Sequence, residues 1–146
     1  MCGLLLVSGC DCMHSMQFKV SPAAAYTREQ TAQQTRQVLD STAIEFGLNE
    51  SNGPFYVKGA FCLYVEPANA ETTPLRTLWL GARFVDDSVV IDGRMWSPGC
   101  ARERRRLFER VESVLGNRLT NAFGTRVMGI EKCEDQIPTQ TVEKKS

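Results

Sequence analysis

The chain predicts an α+β fold: a two-layer sandwich with a mostly antiparallel sheet of four to five strands and two amphipathic helices on one face. Three observations lead there. Two stretches carry apolar residues at three- and four-residue spacing, several short stretches alternate apolar and polar residues, and 42% of the 146 residues are hydrophobic, enough for one core. The length fits a single domain, placed over residues 17–133.

The elements follow in order. Gln17-Phe18-Lys19-Val20 reads as an edge strand, and Ser21-Pro22 separates it from a helix. Thr27-Arg28-Glu29-Gln30 has capping-box form, with Thr27 at the N-cap and Gln30 at N3. Behind it Ala32, Thr35, Val38, Leu39, Thr42, Ala43 and Phe46 make one apolar stripe, and Gly47 is a natural terminator followed by Leu48. Phe55 to Val65 alternates with period two, putting Phe61, Leu63 and Val65 on one face. A polar loop over residues 67–74 leads to a second alternating stretch, Leu75 to Val85, with Leu78, Leu80, Ala82 and Phe84 on one face. Asp86-Asp87-Ser88 is a turn, and Val89 to Trp96 returns as a third strand.

Ser97-Pro98 reads as an N-cap with proline at N1. The helix behind it carries Leu107, Phe108, Val111, Val114, Leu115, Leu119 and Ala122 as one stripe and ends at Gly124. Gly116 lowers helix propensity by about 1 kcal/mol, which marks a close crossing over the sheet. Thr125 to Ile130 is a last strand, and residues 134–146, without apolar period, are expected to be disordered.

Function classes narrow by exclusion. Seventeen basic and 17 acidic residues give zero net charge, without the basic excess of a nucleic-acid binder. His14 is the only histidine and falls in the presumed tether, which leaves no Ser–His or Cys–His pair and no His-rich metal site. Asp86, Asp87 and Asp92 are explained by a hairpin turn with flanking acids rather than by a cation. With no phosphate loop and no nucleophile elbow, the reading is of a binding protein rather than an enzyme, without metal or cofactor.

The N-terminus is the most informative stretch. Val7-Ser8-Gly9-Cys10, behind Leu4-Leu5-Leu6, resembles the lipobox of bacterial lipoproteins. The resemblance implies that Cys10 receives a diacylglycerol, that cleavage falls between Gly9 and Cys10, and that the mature protein is anchored to a membrane without spanning it. It implies a cell-envelope protein facing the periplasm, on either membrane, with an envelope protein partner. Asp11, next to Cys10, resembles the inner-membrane retention signal of some enteric lipoproteins. The pattern departs from an export signal upstream: only nine residues precede Cys10 and none is Lys or Arg, so the true start is expected further upstream. Residues 1–9 are then a signal-peptide remnant and 10–16 a tether.

Removal of Cys2 and lipidation of Cys10 leave four cysteines, Cys12, Cys62, Cys100 and Cys133, for up to two disulfides in an oxidising compartment, in any of three connectivities. Arg102, Arg104, Arg105, Arg106 and Arg110 open a helix whose dipole disfavours cations there, which suggests an anionic lipid or an acidic partner; Glu103, Glu109 and Glu112 offer a solvated ion-pair face as the plain alternative. Tyr56, Tyr64, Trp79 and Trp96 fall on strand faces opposite the most aliphatic positions, where they would form a docking surface or lie under another segment. Two other functions compete: a soluble intracellular interaction domain whose N-terminus only mimics a lipobox, and a lipid or glycolipid carrier with the arginines on the headgroup.

Overall fold

A computed structural model describes residues 10–51, 58–67 and 77–138, with side chains placed over 11–51, 58–67 and 77–129. The element order is β1 (Cys10–Val20), α1 (Arg28–Phe46), β2 (Asn49–Glu50), β3 (Ala60–Val65), β4 (Trp79–Val85), β5 (Ser88–Ser97), α2 (Arg102–Phe123) and β6 (Val127–Pro138). The fold is α+β: among the described residues, one six-stranded sheet, ordered β2-β3-β4-β5-β1-β6 with every pairing antiparallel, and two α-helices. Phe55 to Val57, residues 68–76 and the end of the tail fall outside the described residues.

β1 departs most from expectation. The tether expected over 10–16 is the first half of this strand, and β1 is central rather than an edge. Cys12, Met16 and Val20 point into the core and are 2% exposed or less, while Met13, Ser15 and Lys19 stay partly open on the other face. The cysteine, the histidine and the serine masked that alternation. β6 likewise extends to Pro138, so residues 134–138, expected in a disordered tail, pair with Cys10 to His14. With the two-residue β2, the sheet has six strands rather than four to five.

The core lies between the helices and one sheet face, where Leu39 and Ala43 of α1 and Phe108, Val111, Leu115 and Leu119 of α2 meet Met16, Val20, Leu80, Val89, Ile91 and Met95. α1 starts as expected, Thr27 accepting from the Gln30 N–H and Gln30 from the Thr27 N–H, and stops at Gly47 in the left-handed region (φ 72°). Its buried threonines satisfy their hydroxyls on the preceding turn, Thr35 donating to Thr31 O and Thr42 to Val38 O. Gly116 is the close crossing: a Cβ there would stand 3.3 Å from Phe18 Cε1. In β3 the parity is inverted, with Cys62 and Tyr64 in the core and Leu63 buried on the far face. A register shift between Ala60 and Cys62 resets the alternation.

Of the two alternatives for the aromatic positions, an open face or a covered one, the described residues do not form the open one. Tyr64 is core, Trp79 is 7% exposed, and Trp96 is partly buried and hydrogen-bonded. The far face carries a polar network instead: the Asp92 carboxylate accepts from Gln17 at 2.6 Å and from Arg83 at 3.0 Å.

Candidate functional site

Five of the residues singled out by sequence, Cys10, Asp11, Cys12, Trp96 and Cys100, lie together at one end of the sheet, where β1 begins and β5 ends. Cys10 opens β1 and pairs in register with Pro138 of β6. Asp11 is 3% exposed; its Oδ2 accepts from the Trp96 indole N–H at 2.9 Å and its Oδ1 from the Gly99 N–H at 2.9 Å. Cys12, fully buried, is disulfide-bonded to Cys100. Two consecutive residues of β1 therefore grip the same turn, Pro98–Cys100, from the two faces of the strand.

That turn corrects the expected start of the second helix. Ser97-Pro98 opens a single 3-10 turn rather than the helix, because Gly99 and Cys100 both adopt positive φ (63° and 56°). α2 starts only at Arg102, with Ala101 ahead of it and no side-chain cap. The left-handed pair turns Cys100 back onto Cys12, so the backbone reverses where the sequence suggests that a helix continues.

The arginines do not act as one cluster. Arg104 forms a two-pronged ion pair with Glu66, at 2.7 and 2.8 Å, and Glu66 also accepts from the Leu78 N–H at 3.0 Å. Burial opposes ionisation of Glu66, but the hydrogen bonds from Arg104 and Leu78 outweigh it and hold the carboxyl below its usual range. The same pair raises the Arg104 guanidinium. Arg110 lies over the Phe46 ring, 5.4 Å from its centroid, and Arg105 is partly buried. Arg102 and Arg106, one helical turn apart, are exposed.

Of the other cysteines, Cys62 is buried in the core with a free thiol that desolvation pushes up to about 11. Cys133 stands on β6 opposite Ser15. The single histidine is not in a tether: His14 is 4% exposed, its ring 5.4 Å from that of Phe108. Asp92 is held by Arg83 and Gln17, and Asp86 takes positive φ in the β4–β5 turn. Among the described residues no group of three His, Cys, Asp or Glu side chains could hold a metal ion, and no helix is long and apolar enough to cross a membrane.

Sequence reasoning missed the structural use of Asp11 and Glu66. The indole that Asp11 meets is 85 residues away and the guanidinium that Glu66 meets is 38 away, so no local pattern could announce either pair. No known protein family, curated protein or solved structure matches the chain.

Proposed function

We propose that the chain is a membrane-anchored envelope lipoprotein that works by binding, as an accessory or assembly subunit of an envelope complex. The observation that carries this reading is the order Val7-Ser8-Gly9-Cys10, which leads without a spacer into a strand whose third residue, Cys12, is disulfide-bonded. A lipobox-like segment and a disulfide call for the same compartment, because cytosolic thiols are kept reduced. Cys10 is the lipid acceptor in this reading. Two or three acyl chains anchor a protein far more firmly than one, at about 0.8 kcal/mol per buried methylene.

The test is the intact mass of the protein extracted from its native membranes without reductant. A chain that begins at Cys10, carries acyl chains and lacks two protons for the disulfide is the expected result. An unmodified chain that retains Met1 and has only free thiols overturns the proposal in favour of an intracellular interaction domain. A Cys10→Ser variant should carry no acyl chains in the same mass measurement.

A further inference from the structure

We infer that the end of the domain carrying Cys10 seats directly on the headgroup layer of its membrane, with Arg102 and Arg106 on the phosphates of anionic lipids. This rests on the lipid-anchored reading and adds an orientation and a binding surface to it.

The first argument is geometric. Two contacts fix how α2 lies along β1: Phe108 packs on His14, and Gly116 crosses Phe18. Eight helical residues span about 12 Å, and four strand residues about 13–14 Å. Helix and strand therefore run side by side in the same direction. Six residues back from Phe108, about 9 Å along the axis, Arg102 comes level with Asp11 and Cys12. The disulfide from Cys12 to Cys100, two residues before Arg102, reports the same alignment independently.

The second argument is the lack of slack. A lipidated Cys10 would be the first residue of a paired strand, and the next two are held by the Asp11 hydrogen bonds and the disulfide. Among the described residues, no spacer separates the anchor position from the folded domain. The headgroup region is about 5–8 Å deep on each side, so side chains level with the anchor meet it.

The third argument is charge. Arg104 is committed to Glu66, whereas Arg102 and Arg106 are exposed on one side of the first turns of α2, with Glu103 as the acid between them. These cations sit where the helix dipole opposes them, a cost that phosphate contacts would offset. At the same end Glu134 and Asp135 occupy β6 positions in register with His14 and Met13. The cations therefore stand on the helix layer and the acids on the edge strand, so an anionic surface would draw the domain down on its α2 side.

The experiment uses the full chain carrying Cys10→Ser, so that the acyl chains do not mask weak surface binding, in flotation with vesicles of phosphatidylglycerol or of phosphatidylcholine. Binding is expected to phosphatidylglycerol alone and should fall as salt is raised. Arg102→Gln and Arg106→Gln should each weaken it about fivefold, whereas Arg28→Gln, at the start of α1, should not. An intact Cys12–Cys100 disulfide and an unchanged melting curve would show that each variant is folded. Equal binding to both vesicles, binding to neither, or arginine variants that bind as well as the parent would each overturn the proposal. The native mass separates the two claims: an acylated Cys10 with no arginine-dependent flotation refutes the seating alone, and an unacylated native chain refutes both.

Discussion

Breaking the Cys12–Cys100 bond should destabilise the domain more than any single surface change, and by an amount that depends on Asp11. The bond closes a loop spanning 88 residues of sequence, which encloses α1, β2, β3, β4 and β5. The chain-entropy relation gives about 4.6 kcal/mol for a loop of that size, and measured losses usually fall near 2–4 kcal/mol. For a domain of this length that corresponds to roughly 6–12 °C in melting temperature. Asp11 holds the same turn through the Gly99 N–H and the end of β5 through the Trp96 indole N–H, both donating to one buried carboxylate, and Asp11→Ala should cost about 2–4 kcal/mol in the oxidised protein. Because both devices act on Pro98–Cys100, their costs should not add. Once the bond is reduced the turn is free to move, and the cost of Asp11→Ala should shrink by about 1 kcal/mol or more. Urea unfolding of the parent and of Asp11→Ala, each with and without reductant, gives all four corners of the cycle. A midpoint unmoved by reductant, or an Asp11→Ala cost equal in both redox states, would refute the reasoning.

Three further outcomes follow from the geometry. Glu66 has its pKa lowered in the folded state, so its pairing stabilises above the ordinary carboxylate pKa and is lost as pH falls through the lowered value; Glu66→Gln should flatten that acid limb in melting curves taken at stepwise lower pH. Gly116→Val should destabilise by about 1–3 kcal/mol through overlap with Phe18, while Gly116→Ala should be better tolerated in a Phe18→Leu background than in the parent, as denaturant midpoints would show. Cys62, 6% exposed with its thiol pushed up to about 11, should resist alkylation in native protein at pH 8 and react on unfolding, as mass spectrometry would read directly.

What could be read from the chain was what its local chemistry decides. The capping box at Thr27 and the stop at Gly47 depend on residues within a turn or two of each other. The Gly116 crossing shows locally as a glycine inside a helical stripe, although its partner Phe18 is distant; each stands where the pattern puts it. β1 was illegible because its pairing is entirely non-local: Cys12 lies opposite Ser97 on one side and Gln136 on the other. Without those neighbours, Asp11 to Met16 reads as a polar tether. The start of α2 failed for a different reason. Ser97-Pro98 is a sound local helix signal, but the left-handed Gly99 and Cys100 obey the disulfide rather than the propensity. The arginine cluster was visible as composition only. Its division into a paired Arg104, a ring-stacked Arg110 and an exposed Arg102 and Arg106 depends on Glu66 and Phe46, which lie on other elements.

The central place of β1 also sets a timetable. This strand is synthesised before all its partners, yet β5 is complete only at Ser97 and β6 only at Pro138. From the moment it emerges until β5 has been made, β1 has no sheet neighbour to zip against, and closing such distant pairings is slow. In the lipid-anchored reading proposed above, that interval is when Cys10, not yet paired with Pro138, would be open to a modifying enzyme or a protease. Once β6 closes over β1, that window shuts. In the same lipid-anchored reading, processing at Cys10 and folding of the domain would be consecutive events on one strand, and whichever came first would constrain the other.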